Sequence, residues 1–311
     1  MNECRSIAIS GDLGSGKSTI SSQLAESLGY HRISVGNLYR DMARARGMST
    51  LQINLHAEHD ESIDDYVDSM QAELARSDEN LIIDSRLGWH FFKDAFKVNL
   101  IVDPATGASR AISRPASDVE AYASIDEAVR RLQVRSDSER ARYLQKYGVD
   151  KTRLRNFHLI CDTTSAQPST LVDEVLAAAR ESSKQKCDPI LLLDPGRIYP
   201  SERIGALRGL WESDLVAEVR PRGYSGIDSI SVGYTGSDFY VLDGHRRLSA
   251  ALQCGFPLIS ARLIAEFEEH VIAGFSAQQY FESSVSISMV YDWEAAHGIV
   301  LSLPGHLASR V

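Results

Sequence analysis

Short apolar runs alternate with longer segments whose apolar residues return every three to four positions, and this pattern predicts strands alternating with helices. Ser6 to Ser10 reads as a strand and Lys17 to Leu28 as a helix with Ile20, Leu24 and Leu28 on one side. A short strand at Arg32 to Ser34 precedes predicted helices at Gly36 to Arg46, Leu51 to His59 and Ile63 to Ser77. Strands follow at Leu81 to Asp84, Val98 to Val102 and Leu159 to Cys161, with helices at Ser124 to Tyr147 and Leu171 to Arg180. Buried strands separated by helices imply an α/β fold, a doubly wound parallel sheet covered on both faces. The polar run Glu181 to Lys186 reads as a linker. Beyond it come strands at Ile190 to Leu193, Ile227 to Tyr234, Phe239 to Leu242 and Leu258 to Ile264, with helices at Arg203 to Val219 and His245 to Gln253. That second pattern predicts a smaller α+β module. Ser283 to Val311 shows no clear period and carries no expectation.

The junction of the first strand and first helix holds Gly11-Asp12-Leu13-Gly14-Ser15-Gly16-Lys17-Ser18, a complete G-x-x-x-x-G-K-[ST] phosphate loop. Gly11, Gly14 and Gly16 let the backbone turn so that its N–H groups, those of Ser15 and Thr19 included, face phosphates at the helix N-terminus. Lys17 is expected on the β and γ oxygens of ATP, with the Ser18 hydroxyl in the Mg²⁺ shell.

The chain has 311 residues, which makes two domains the default, expected at 1–182 and 188–311. Its formal net charge of −9 argues against a nucleic-acid partner. Cys4, Cys161, Cys187 and Cys254 form no C-x-x-C pair and read as reduced thiols. His56 and His59 lack a third ligand and read as a solvated face. No segment approaches the ~20 apolar residues of a membrane helix, so a soluble, cytoplasmic protein without a membrane partner is expected, its oligomeric state open.

Downstream of the loop, Ser34-Val35-Gly36-Asn37-Leu38-Tyr39-Arg40-Asp41-Met42-Ala43 resembles the S-x-G-x-x-[FY]-R-x-x-A of archaeal-type cytidylate kinases. His59-Asp60-Glu61-Ser62-Ile63-Asp64 resembles their D-x-x-[IV]-D, and Asp84-Ser85-Arg86-Leu87-Gly88-Trp89 their E-G-R-L-x-G-W. Ser138-Glu139-Arg140-Ala141-Arg142-Tyr143 with Tyr147-Gly148-Val149-Asp150 resembles S-E-R-x-R-Y…Y-G-[IV]-D. The resemblance implies a P-loop nucleoside monophosphate kinase using ATP and Mg²⁺, with small-molecule nucleotide substrates. A monophosphate acceptor needs bidentate cationic contacts, expected from Arg40 and Arg86, while Asp60 and Asp64 are expected at its base or sugar. A lid that clamps the transferring group is expected from Arg110, Arg114, Arg140 and Arg142. Asp84 stands where the family has Glu and keeps a carboxylate for a Mg²⁺-bound water. Ser85 stands where the family has Gly and narrows the space beside it.

In the second module, Asp243-Gly244-His245-Arg246-Arg247 joins a strand to a helix and forms an anion site: a glycine turn, a helix N-terminus and two arginines. Together with Asp194-Pro195-Gly196-Arg197 and Pro200-Ser201-Glu202 upstream, the run resembles the ParB/sulfiredoxin-like superfamily. Gly244 stands where a sulfiredoxin needs its cysteine, which excludes peroxiredoxin repair. His245 and Ser249 replace the Glu and third Arg of the partition proteins, and no helix-turn-helix segment follows. The superfamily's free serine kinases, with D-G-H-[HR]-R and a Glu just after a proline, fit better. The resemblance implies ATP or ADP at Asp243, Gly244, His245, Arg246 and Arg247, and Glu202 as the base taking a proton from serine or a similar hydroxyl. The expectation is a bifunctional phosphotransferase; the alternative is a cytidylate kinase whose second domain senses CTP or another nucleotide without chemistry.

Overall fold

The computed structural model describes residues 6–48, 61–77, 79–113, 122–181, 188–207, 213–268 and 271–308. The predicted helix at Leu51 to His59, together with Asp60, Arg114, Cys4 and Cys187, lies outside them. The chain divides into two compact units: the first is Met1–Thr152, Asn156–Leu159 and Gln167–Lys186, the second Arg153–Arg155, Ile160–Ala166 and Cys187–Val311.

In the first unit, β1 (Ser6–Gly11) leads through the glycine loop into α1 (Lys17–Leu28), followed by β2 (His31–Ser34), α2 (Val35–Ala45), α3 (Glu61–Leu74) and β3 (Leu81–Asp84). Next come α4 (Gly88–Phe91), β4 (Phe96–Ile101), α5 (Pro104–Ile112) and α6 (Ile125–Tyr147), and, after β5 (Leu159–Asp162), of which only Leu159 belongs to this unit, α7 (Pro168–Glu181). β1 pairs in parallel with both β3 and β4, and β2 pairs in parallel with β3. Ile7, Ala8, Ile9, Ile82, Ile83 and Val98 are buried, as continuous apolar strands of a parallel sheet should be. Because all these strands run one way, their carboxyl ends gather the glycine loop, Ser34 and Asp84 on one edge, where open α/β sheets bind ligands.

Local signals fix the helices that flank this edge. Asp103 caps α5 by accepting the Thr106 amide at 2.8 Å, with Pro104 in the first turn. Ser124 caps α6 through the Glu127 amide at 3.1 Å, while Glu127 reaches back to the Ala123 amide at 2.7 Å, and Gly148 ends the helix at φ 67°. α5 has no counterpart among the elements the sequence predicts. Its run Pro104 to Ile112 is too rich in small residues to show a period, although Gly107, Ala108 and Ala111 are its buried side.

The second unit contains β6 (Ile190–Leu193), β7 (Ile198–Tyr199), α8 (Ser213–Val219), β8 (Ile230–Tyr234), β9 (Phe239–Asp243), α9 (His245–Cys254) and β10 (Ile259–Glu266). A hairpin of β11 (Val271–Ile272) and β12 (Phe275–Ser276) leads into α10 (Ala277–Ser284), α11 (Ile287–His297) and α12 (Gly305–Ala308). β10 is antiparallel to β6 and parallel to β8, β8 is antiparallel to β9, and β9 is parallel to β7, a mixed sheet. The predicted helix at Arg203 to Val219 is corrected in its first part: Ile204–Ala206 is one 3₁₀ turn and Leu207 is extended, while α8 covers Ser213–Val219. Gly205 in this stretch disfavours a helix by about 1 kcal/mol relative to alanine. The tail is also more ordered than its sequence suggests. Ala277 and Phe281 of α10, and Met289, Val290 and Trp293 of α11, are buried at helical spacing, and Tyr240 stacks on Phe281 with ring centroids 4.4 Å apart.

Among the described residues no helix is long and apolar enough to cross a membrane, and no group of His, Cys, Asp and Glu is arranged to hold a metal ion. Among the described residues Cys161 and Cys254 are in no disulfide.

Candidate functional site

The glycine loop is shaped by its backbone. Gly14 and Gly16 have φ of 82° and 78°, in the left-handed region that side chains avoid. A Cβ on Gly14 would lie 2.2 Å from the Gly107 carbonyl oxygen, so the loop rests backbone to backbone on α5. Asp12 anchors it: its amide donates to Leu100 O at 2.9 Å and its Oδ2 accepts the Val102 amide at 3.2 Å. Lys17 Nζ donates to the carbonyls of Gly11 at 2.6 Å and Asp12 at 2.7 Å, which folds the ammonium over the loop mouth. Ser15 Oγ donates to Asp12 O at 2.8 Å. Ser18 and Thr19 open α1 and are exposed.

At the end of β3, Asp84 is buried, and its Oδ2 collects three donors: Arg32 Nη2 at 2.6 Å, Ser34 Oγ at 3.3 Å and Ser18 Oγ at 3.4 Å. A hydroxyl and a carboxylate side by side are the oxygen donors that Mg²⁺ favours, so the pair fits the ion expected of such a loop. Arg32 carries no motif that marks it in the sequence. It sits beside Asp84 because β2 and β3 run in register, Ser34 opposite Asp84, and the sequence alone does not announce that neighbour.

Arg86 follows Asp84 by two residues and is held from both ends. Its carbonyl accepts Ser10 Oγ and Trp89 Nε1, each at 3.1 Å, and its guanidinium pairs with the buried carboxylate of Glu139. Glu139 also binds Arg135 Nε at 3.3 Å and Lys151 Nζ at 3.2 Å. One buried carboxylate thus gathers three cations. Burial, with Arg135 and Arg142 adding repulsion, brings the Arg86 guanidinium down to about 10, and burial with Arg86 nearby brings the Lys151 ammonium down to about 7.

The glycine loop, Asp84, Arg86 and Arg135 share one open cleft of about 230 Å³. Its walls include the loop from Asp12 to Ser18, Tyr39, Asp68 and Gln71, and the segment Asp84 to Leu87. Arg135, Arg142, Tyr143 and Tyr147 of α6 complete it.

The arginines divide differently from expectation. Arg140, expected in the lid, makes a bidentate pair with Asp150, Nε to Oδ1 at 3.0 Å and Nη2 to Oδ2 at 2.6 Å, and is not among the residues lining the cleft. Burial works to raise the Asp150 carboxyl, but the bonds from Arg140 and Thr152 outweigh it and hold it below the usual range. Arg135, Glu139 and Arg142 lie at i, i+4 and i+7 on one face of α6, and that spacing was the available sign that Arg135 belongs with the site. Arg110 lies in the last turn of α5 and is not among the residues lining the cleft. Arg40 and Asp64 fall on α2 and α3, but their side chains, like all of Asp60 and Arg114, lie outside the described residues.

In the second unit, Gly244 at φ 103° caps α9 at the end of β9, and a Cβ there would lie 2.6 Å from Ile230 Cγ2. His245 is buried, and its Nε2 accepts the Ser201 amide at 3.3 Å. Burial lowers its pKa against the pull of Glu202 and Asp243, so the ring acts as a neutral acceptor. Expected on a ligand, His245 instead fastens the Pro200-Ser201-Glu202 segment to the first turn of α9. Glu202, Asp243 and Arg246 are exposed. Arg247 binds Asp243 Oδ2 at 2.7 Å and Ser229 O at 2.6 Å, ties that hold the turn together.

A parallel-rich sheet whose first strand feeds a phosphate loop, with a cation-lined cleft over its carboxyl edge, defines a P-loop kinase-like α/β protein. The AAA domain family matches residues 7–144. A cytidylate kinase of Methanobrevibacter smithii is 33% identical over 174 residues, 56% of this chain and 98% of that protein. Another, of Natronomonas pharaonis, is 36% identical over 164 residues, 52% of this chain and 82% of that protein. The chain belongs to the cytidylate kinase family, through its N-terminal part. Among solved structures, a shikimate kinase from Acinetobacter baumannii aligns with a TM-score of 0.40 at 18% identity, over 58% of this chain and 96% of that one.

Proposed function

We propose that the N-terminal unit transfers the γ-phosphoryl group of ATP to a nucleoside monophosphate, with CMP as the acceptor. The observation that carries this reading is the single cleft that joins the glycine loop and Lys17 to the Ser18–Asp84 oxygen pair and the arginines Arg86, Arg135 and Arg142. Catalysis of phosphoryl transfer is chiefly positioning and charge stabilisation, and these side chains supply both. Lys17 leaves its two carbonyl partners for the donor phosphates, and Ser18 with Asp84 would hold Mg²⁺. When bound, Mg²⁺ neutralises charge on the β and γ phosphates. Arg86, braced by Glu139, meets the acceptor phosphate as a fork fixed at its backbone and its tip. Arg40, Asp60, Asp64, Arg110 and Arg114 keep the roles that the family resemblance implies. The test is phosphate transfer from ATP to CMP, UMP, AMP and GMP by the full chain. Turnover should be lost in Lys17→Ala while the fold persists, and normal turnover in that variant overturns the reading.

For residues 188–311 the reading is a ParB/sulfiredoxin-like module that phosphorylates free serine or a similar small hydroxyl acceptor, using ATP or ADP. Its support is the left-handed Gly244 turn at the start of α9, to which the His245–Ser201 bond tethers the segment carrying Glu202. A carboxylate base is what a weak hydroxyl nucleophile requires. In the Lys17→Ala chain any phosphoserine formed must come from this module, and Glu202→Gln should abolish it while nucleotide binding remains. Nucleotide binding without any turnover would replace this reading with a sensing domain.

A further inference from the structure

Gln71 of α3 is buried, yet it lines the cleft. Its Oε1 accepts the Ser85 hydroxyl at 2.7 Å, and Ser85 Oγ in turn accepts the Leu87 amide at 3.3 Å. Because its oxygen end is taken, the carboxamide is held with its NH₂ end turned away from Ser85. Among the described residues that NH₂ makes no hydrogen bond. Asp68 lies one turn earlier on α3 and lines the same cleft, its Oδ2 accepting the Tyr147 hydroxyl at 2.7 Å. Residues three apart on a helix are neighbours. An ionised carboxylate only accepts hydrogen bonds, with about four lone pairs to offer, whereas an amide NH₂ only donates. The lock itself depends on Ser85, which stands where the family pattern carries a glycine that could not make it.

We propose that Ser85 orients Gln71 so that Gln71 and Asp68 read the edge of the acceptor base as a fixed donor–acceptor pair. The pair fits an exocyclic amine beside an unprotonated ring nitrogen, the edge shared by cytosine and adenine. The amine donates to Asp68, and the ring nitrogen accepts from Gln71 Nε2. Uracil and guanine present the reverse order, a carbonyl toward the carboxylate and a ring N–H toward the NH₂, which leaves both protein groups mispaired. An interaction built to hydrogen-bond one edge rejects the wrong edge strongly because buried polar groups are left without partners. This inference rests on the reading of the cleft as the nucleoside monophosphate site.

Two measurements on the full chain separate the inference from that reading. Calorimetric titration with CMP, AMP, UMP and GMP in the absence of ATP reads base recognition alone. CMP or AMP should bind at least about tenfold tighter than UMP and GMP, and the CMP and AMP arms distinguish the two bases of suitable edge. Gln71→Glu replaces the donor end by an acceptor, so the CMP-to-UMP or AMP-to-GMP ratio should shrink by about tenfold or more. Ser85→Ala lets the amide turn over, which should shrink the ratio by a few-fold and raise KM for the acceptor without changing KM for ATP. Equal binding of all four nucleotides by the unaltered chain, or an unchanged ratio in both variants, overturns the inference. A discriminating site that shows no phosphate transfer with any acceptor overturns the kinase reading and leaves base recognition standing.

Discussion

Substituting Gly14 by alanine tests whether the phosphate loop is held by its own hydrogen bonds or by its seat on α5. Two penalties act on that variant. The first is the φ of 82°, which costs a residue with a Cβ about 1–2 kcal/mol. The second is steric, since the new Cβ would lie 2.2 Å from Gly107 O and 2.6 Å from Gly107 Cα, both backbone atoms that cannot rotate aside. Overpacking of this kind costs about 1–3 kcal/mol. Gly29→Ala is the control: it ends α1 at φ 68°, and nothing lies within 4 Å of its Cβ position, so it carries the first penalty alone. Alanine also restricts the unfolded chain equally at both positions, and that contribution cancels in the comparison. The two variants should therefore differ by the steric part, about 1–3 kcal/mol in urea unfolding without nucleotide. Gly107→Ala approaches the contact from the other side, 2.9 Å from Leu13 O, with no left-handed φ to strain. It should weaken ATP binding by displacing the loop while leaving α5 folded. Equal stability of Gly14→Ala and Gly29→Ala would refute the idea that α5 seats the loop.

The two arginines of the S-E-R-x-R segment should separate cleanly. Arg140→Ala, which breaks the pair with Asp150, should cost about 1 kcal/mol in unfolding experiments and leave kcat for phosphate transfer within a few-fold. Arg142→Ala, from the cleft wall, should do the opposite, lowering kcat with little change in stability; the reverse pattern would reinstate Arg140 as the residue facing the nucleotides. Lys151 gives a pH test. Its folded-state value of about 7 lies below the ordinary 10.5, so between these the unfolded chain binds the extra proton and stability should rise with pH across that window. Lys151→Met should flatten the rise measured by urea unfolding at pH 7 to 10, and an unchanged slope would show that Lys151 is not its source.

The sequence displayed what is local in the first unit. A buried strand, a glycine loop with lysine and serine, and a helix of period 3.6 are contiguous, and β1 with α1 follows them within a residue or so. It also gave the identity of the charged residues better than their direction. Arg140 and Arg142 sit in one short motif, but they point differently because Asp150, eight to ten positions on, returns past the Gly148 turn to take one of them. Arg32 and Gln71 were invisible for a related reason. Each gains its meaning from a partner on another element, Asp84 or Ser85, and register between elements is not written in periodicity.

The second unit shows the converse, a motif whose residues are legible in the sequence but whose contacts within the fold are not. Asp243, His245 and Arg247 read as ligand-facing groups because charged and polar residues at a glycine turn usually meet solvent or anions. The burial of His245 changes that balance: a ring excluded from water is easier to keep neutral than charged, and a neutral ring nitrogen is a good acceptor for the Ser201 amide. Arg247 is likewise used up in fixing the turn, through Asp243 and the Ser229 carbonyl. The motif therefore acts first on the chain itself, setting the Gly244 turn and the segment bearing Glu202 in a fixed relation. Exposed groups around that frame, Glu202, Asp243 and Arg246, are the ones with the access that a nucleotide or a hydroxyl acceptor would need. A substitution at His245 should then act through the position of Glu202, which predicts that His245→Gln, still able to accept from the Ser201 amide through its carboxamide oxygen, preserves more function than His245→Ala. Phosphoserine formation and nucleotide affinity measured in both variants decide the matter, and equal loss in the two would return His245 to the ligand.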